Sequence, residues 1–202
     1  MGTTFKLAEK YLKVDTNTVF VEIGSDRYEG STEYFAELAQ DNNTILHTVD
    51  LSNEARNRLD QTINMHNIVW HQATGSDWAK NVFPTFEKKI SLLYLDNFDY
   101  NWNISRPNDN IELQKTQYRE EFGIEMTNQN CQLEHFKQML SLYPYMADYS
   151  VIICDDTYTL NDCWIGKCGP IVVYLLANGY QIVEKHAGGD AGYSYGVILV
   201  RG

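Results

Sequence analysis

Two stretches of this sequence end an apolar run on carboxylates. LLYLDNFDYNW carries Asp96, and VIICDDTY carries Asp155 and Asp156. In a parallel sheet the carboxyl ends of the strands share one rim, where ligands bind. If these two runs are neighbouring strands, the three aspartates converge. Like charges gathered in this way repel unless something positive joins them, and a hard divalent ion such as Mg2+ is the natural partner. Such an ion would bind a substrate hydroxyl and lower its pKa, so that it attacks as an alkoxide or phenolate. The plainer alternative is that Asp155 or Asp156 caps the following turn. Tyr100, Trp102 and Tyr158 flank the carboxylates and either wall a pocket or pack.

A second group of residues suits a nucleoside. VFVEIGSDRYEGSTEYFAELA joins an apolar run to a helical pattern through glycines. Glycines there let the backbone turn sharply and approach a ligand at the positive N-terminus of the next helix. Asp50, a little over 20 residues further on, ends HTVD and is placed to accept hydrogen bonds from ribose hydroxyls. It also suits a cap for the helix that begins near Ser52, and the two roles can coexist. ATGSDWA puts Asp77 and Trp78 in a loop on the same edge, where a carboxylate would accept from an adenine amino group and an indole would stack on the base. A loop Asp beside a packed Trp is the alternative.

These residues need a frame, and five short runs rich in β-branched or aromatic residues provide it: Thr18–Gly24, Thr44–Asp50, Asn67–His71, Ile90–Asp96 and Ser150–Asp156. Between them the clearest helical spacings are Ser31–Gln40 and Ser52–His66, each opened by a Ser that can cap a helix. This alternation predicts a doubly wound α/β fold with a mostly parallel sheet. After Gly169-Pro170, the run Ile171–Asn178 reads as a helix stopped by Gly179. Tyr180–His186 and Tyr195–Val200 follow as strands, and the short loop between them makes them antiparallel neighbours. His186 falls at that loop, before GGDAG, as a surface His or a base suited to neutral pH. His135 reads as a helical His among polar residues. The polar stretch 101–130 breaks the rhythm as an irregular connection, either a lid or a surface insertion.

The chain has 202 residues, enough for one domain, 1–202, with an insertion at about 101–130. Its formal net charge of −11 argues against a nucleic-acid substrate, because gripping phosphates calls for a basic surface. The four cysteines form no CxxC pair, which points away from a disulfide framework or zinc site and toward a reducing compartment. The N-terminal MGTTFKLAEKYLK lacks a signal-peptide core, and no apolar run nears the roughly 20 residues that span a bilayer. The expectation is a cytoplasmic protein without nucleic-acid or membrane partners. Oligomeric state is open, with a homodimer among the possibilities.

Taken together, the motifs resemble those of class I S-adenosylmethionine-dependent methyltransferases over about Thr18 to Arg201. The nearest likeness is to the small-molecule O-methyltransferases of the catechol and caffeoyl-CoA type and their sugar-modifying relatives. The resemblance implies a seven-stranded Rossmann-like sheet with an antiparallel last strand, YSYGVILVRG. It also implies S-adenosylmethionine as cofactor, Mg2+ as metal, and a small-molecule hydroxyl as acceptor. EIGSDRYEGST resembles the first cofactor motif and implies contacts from Glu22, Gly24, Ser25, Asp26 and Ser31. HTVDLS resembles the ribose motif, through Asp50, and GSDWA the adenine loop, through Asp77 and Trp78. Asp96 is implied both beside the cofactor and, with Asp155 and Asp156, as a metal ligand. In the catechol type a lysine base lies three residues beyond the first metal aspartate. Here that position is Asp99, a weaker base, so either the metal does most of the activation or another group, such as His186, acts as base. The glycine loop is longer than in the catechol type, with Asp26, Arg27 and Tyr28 before Gly30-Ser31. The rival readings are a metal-independent methyltransferase acting on a sugar or amine, a nicotinamide-dependent oxidoreductase, and a non-catalytic cofactor-binding protein. The oxidoreductase reading lacks a clean GxGxxG.

Overall fold

The structure is a computed structural model, and it describes residues 4–25, 29–60, 66–98, 100, 109–187 and 195–202. An N-terminal 3₁₀ helix, Thr4–Tyr11, precedes β1 (Thr18–Ile23), α1 (Ser31–Asp41), β2 (Leu46–Asp50), α2 (Glu54–Leu59) and β3 (Ile68–Gln72). Next come α3 (Gly75–Asp77), continued by a wider turn at Trp78–Val82, then β4 (Lys89–Leu95), α4 (Asp109–Phe122), α5 (Asn128–Leu142) and β5 (Met146–Asp155). The chain ends with β6 (Thr157–Leu160), β7 (Cys163–Gly166), α6 (Gly169–Ala177), β8 (Gln181–Ala187) and β9 (Tyr195–Arg201).

Every residue of β1 is buried, which is what a run as apolar as TVFVEI requires of a strand covered on both faces. Seven strands form one sheet in the order β3-β2-β1-β4-β5-β9-β8. β1 to β5 pair in parallel, while β9 runs antiparallel to both β5 and β8. This is a mostly parallel, doubly wound Rossmann-like sheet with β9 antiparallel, as the sequence predicts. The strand order reverses between β1 and β4, so a crevice opens beyond their carboxyl ends.

Side chains alternate along the central strands and divide the core into two layers. Leu93 and Leu95 of β4 pack with Trp78, Met139 and Ile171 on the face carrying α5 and α6. Leu92 and Tyr94 pack on the other face with Phe5 and with Phe35 of α1. Several elements differ from the sequence expectation. The helix expected over Ser52–His66 is α2, Glu54–Leu59, with residues 61–65 outside the described residues. Residues 109–122 of the expected irregular connection are a helix, α4. β6 and β7 form an unexpected antiparallel hairpin just after β5. Among the described residues no helix is long and apolar enough to cross a membrane.

Candidate active site

Glu22 is fully buried in β1, where an unpartnered carboxylate would be costly. Three hydroxyls donate to it: Ser31 Oγ at 2.7 Å, Thr32 Oγ1 at 2.7 Å and Thr48 Oγ1 at 2.6 Å. Because Thr48 spends its one proton on Glu22, the Ser25 hydroxyl, 2.7 Å away, donates to Thr48. The Ser25 amide donates to Asp50 Oδ2 at 3.1 Å, and the Ser52 amide donates to Asp50 Oδ1 at 2.7 Å. Glu22, Ser25, Ser31 and Asp50 are thus one network that ties the glycine turn to α1 and β2. The Ser31 hydroxyl serves Glu22 rather than capping α1, whose N-cap is Gly30. Gly24 has φ +97°, and a Cβ there would overlap the backbone of Asp96 and Asn97. Only glycine lets β1 and β4 approach so closely at the crevice. Asp26 lies outside the described residues.

The crevice holds a cavity of about 340 Å3, within the size range of small-molecule sites. Ile23, Val49, Leu51 and Ala73 give it apolar walls, and Asp50, Asp77, Ser76 and Asn97 give it polar ones. Tyr118 of α4 and Leu133 and Glu134 of α5 complete it, so the inserted region contributes to the pocket. Phe98 also lines it, with its ring edge-on to Tyr118 at 5.3 Å. The cavity wall offers an unmet acceptor: Asn97 Oδ1 is buried with no hydrogen-bond partner among the described residues. A ligand amino group would satisfy it, and the two carboxylates accept from hydroxyl or amino donors in the same way. These residues fit an adenosyl group.

Trp78 requires a correction. It is only 1% exposed and packs among His71, Phe83 and Phe86 instead of facing the cavity. The helical turn begun at Gly75 keeps Asp77 outside, where Thr74 Oγ1 donates to it at 2.7 Å, and rotates the next side chain into the core. Phe98, with Tyr118, lines the pocket instead, and nothing in its local pattern distinguished it.

The aspartates at the ends of β4 and β5 do converge. Glu29, Asp96 and Asp155 each bring a carboxylate oxygen within 4.8 Å of the others. The expected positive partner proves to be part of the chain. Lys167 Nζ lies 2.5 Å from Asp96 Oδ1 and 3.0 Å from Asp156 Oδ2, with its side chain 3% exposed. The other Asp96 oxygen accepts from the Tyr94 hydroxyl at 3.0 Å. The donor set therefore does not fit a resident Mg2+: one of its chief ligands has both oxygens engaged, and an ammonium already bridges Asp96 to Asp156. Burial and the neighbouring Asp96 and Asp156 charges hold the Asp155 carboxyl well above the ordinary carboxylate range. Burial also raises Asp96, and Lys167 pulls against that shift. The sequence carried one signal for Lys167: it is the only Lys or Arg between 138 and 184.

His186 also needs correcting. It lies within β8, paired with Gly196, and its Nε2 is 3.4 Å from Glu184 Oε2. The GGDAG loop, Asp99 and Trp102 lie outside the described residues. His135, expected among polar residues, is completely buried in α5 with Nδ1 2.8 Å from the Cys131 carbonyl oxygen. Burial, aided by the Lys167 charge, lowers its pKa to about 3, so it is neutral. Tyr158 of β6 and Tyr195 of β9 stand side by side, ring centroids 4.6 Å apart. Tyr195 adjoins Gly196, the β-partner of Asp155.

No protein-family model matches the sequence, and no curated protein matches it. Solved structures do match, at low identity. A Streptococcus mutans protein in complex with SAH superposes with a TM-score of 0.56 at 10% identity, covering 99% of this chain and 98% of that one. The glycopeptide N-methyltransferase MtfA complexed with S-adenosylmethionine gives 0.54 at 9% identity, over 97% and 90% of the two chains. An rRNA methylase from Streptococcus thermophilus gives 0.51 at 9% identity, over 99% and 96%. At such identities the likeness establishes a shared fold over nearly the whole chain.

Proposed function

We propose that this chain is an S-adenosylmethionine-dependent methyltransferase that acts on a small-molecule hydroxyl. The observation that carries the reading is the cavity at the strand-order reversal, with Asp50, Asp77 and the unpartnered Asn97 Oδ1 on its wall. Structures of the same fold solved with SAH and S-adenosylmethionine support it.

The cofactor supplies a methyl carbon already activated by its sulfonium, so the protein's work is to hold the reactants in line and exclude water. Asp50 accepts from the ribose hydroxyls and Asp77 from the adenine amino group. Ile23, Val49 and Leu51 form a dry wall, and Phe98 and Tyr118 cover the base. Glu22 keeps the glycine turn rigid through its three hydroxyl donors. Asp96 and Asn97 are consecutive, so this cavity meets the carboxylate cluster at the end of β4, where the acceptor lies against Tyr158 and Tyr195. The acceptor's proton passes to the Asp155 carboxylate, whose basicity burial increases. The new C–O bond forms while the C–S bonding pair stays on sulfur. No step is routed through a divalent ion.

A specific observation favours one second reading. Among the described residues, the carboxyl groups of Glu29, Asp96, Asp155 and Asp156 gather at this end of the site, and such a cluster suits an amine acceptor. Transfer of labelled methyl to a panel of small hydroxylated and amino compounds separates the two. Asp155→Asn is expected to abolish transfer while leaving S-adenosylhomocysteine affinity nearly unchanged. Full turnover in that variant would refute the assignment of the acceptor end.

A further inference from the structure

We propose that Lys167 is a built-in cation that stands where a divalent ion would otherwise join the carboxylates of β4 and β5, leaving this centre metal-independent. The β6–β7 hairpin is what brings it there. Asn161 and Asp162, both with positive φ, turn the chain back on itself. Gly166 has φ +93°, and a Cβ on it would overlap the Asp156 carbonyl oxygen. That contact lets the Lys167 amide donate to the same carbonyl at 3.1 Å. The Thr157 hydroxyl donates to the Asp155 carbonyl at 2.8 Å and accepts from the Cys168 amide at 3.1 Å. The backbone on both sides of Lys167 is therefore pinned to the end of β5.

From this fixed base the side chain reaches across to β4. Its ammonium pairs with Asp156 and with Asp96, 71 residues away in sequence. Mg2+ demands near-octahedral oxygen ligation and retains several waters. Both Asp96 oxygens are already engaged, one by the buried ammonium and the other by the Tyr94 hydroxyl, and the ammonium repels an incoming divalent ion. Lys167 supplies the pairing charge without hydration or exchange. It is a positioning residue: it aligns the Asp96 and Asp156 carboxylates and, through them, the acceptor end of the site.

The inference refines the site proposed above, but its test reads cation binding and so stands apart from methyl transfer. Mn2+ alone is the probe, with free ion followed by electron paramagnetic resonance. The unaltered protein should bind no Mn2+ at this centre. Lys167→Met, similar in length but uncharged, should bind it roughly tenfold tighter or more, and Asp96→Asn added to that variant should remove the gain. Lys167→Arg keeps the charge and should remain without Mn2+. If the unaltered protein binds Mn2+ in a way that Asp155→Asn abolishes, the proposal is overturned, whatever the fate of the variants. A Lys167→Met protein that folds, by circular dichroism, yet gains no affinity overturns it equally.

Discussion

Gly24 and Gly30 both have positive φ, +97° and +85°, but only one of them is crowded. A Cβ on Gly24 would lie 2.5 Å from the Asp96 carbonyl carbon and 2.7 Å from the Asn97 amide nitrogen. Both are backbone atoms just beyond the end of β4, which cannot step aside as a flexible side chain would. At Gly30 no atom of the described residues lies within 4 Å of the added carbon. Alanine at either position incurs the left-handed backbone cost of about 1–2 kcal/mol. Gly24→Ala adds forced overlap worth about 1–3 kcal/mol, for a total of roughly 2–5 kcal/mol. In a domain of this size each kcal/mol moves Tm by about 2–4 °C. Gly24→Ala should therefore melt roughly 4–20 °C lower, against about 2–8 °C for Gly30→Ala. Thermal and urea melts followed by tryptophan fluorescence measure both. The overlap also pushes β4 from β1 at the crevice, so S-adenosylhomocysteine affinity should fall for Gly24→Ala well beyond its change in Gly30→Ala. Equal melting points for the two variants would refute the close-approach argument and, with it, the role given to Gly24 in shaping the crevice.

Asp50→Ala removes the ribose acceptor and the partner of the Ser25 and Ser52 amides. It should weaken S-adenosylhomocysteine binding roughly 10- to 100-fold by calorimetry, in line with the loss of charged hydrogen bonds. His47 and His71 stack in the core with Nδ1 and Nε2 3.0 Å apart, and burial, with His71 adding to it, lowers the His47 pKa to about 4. The unfolded chain takes up this proton near pH 6.5 and the folded chain only near pH 4, so the stabilisation is complete above about pH 6.5 and is lost as pH falls toward 4. Denaturant melts across that window should register up to about 3 kcal/mol, the linkage value of a shift of roughly two and a half pH units. In His47→Gln this part of the acid dependence should disappear.

The parallel strands were legible because β-branched residues crowd into short runs that end on carboxylates, and the structure reproduces those runs to within a few residues. Their ends carried the site residues Gly24, Asp50, Asp96 and Asp155 to one rim, as the doubly wound pattern requires. α4 was hard to read because NIELQKTQYREEF is mostly polar and its apolar face is thin, carried by Ile111, Tyr118 and Phe122 among charged and amide residues. It is built from good helix formers and supported by pairs such as Glu112 with Lys115. The β6–β7 hairpin did leave a signal: Asn161-Asp162 between TYTL and CWIG is a two-residue turn that favours positive φ. Trp78 misled because a loop and a helical turn direct the same residue to opposite sides. Lys167 was hidden for a different reason. Its meaning lies in Asp96, a contact closed only by the sheet and the hairpin together, and no local pattern encodes it.

The central claim is that the cavity beside Gly24 receives an adenosyl cofactor carrying a methyl sulfonium. Isothermal titration of the purified protein with S-adenosylhomocysteine and, separately, with NAD tests it most directly. Saturable one-to-one binding of S-adenosylhomocysteine, weakened by Asp50→Ala, with no heat from NAD, is the predicted result. Binding of NAD with none of S-adenosylhomocysteine would contradict it.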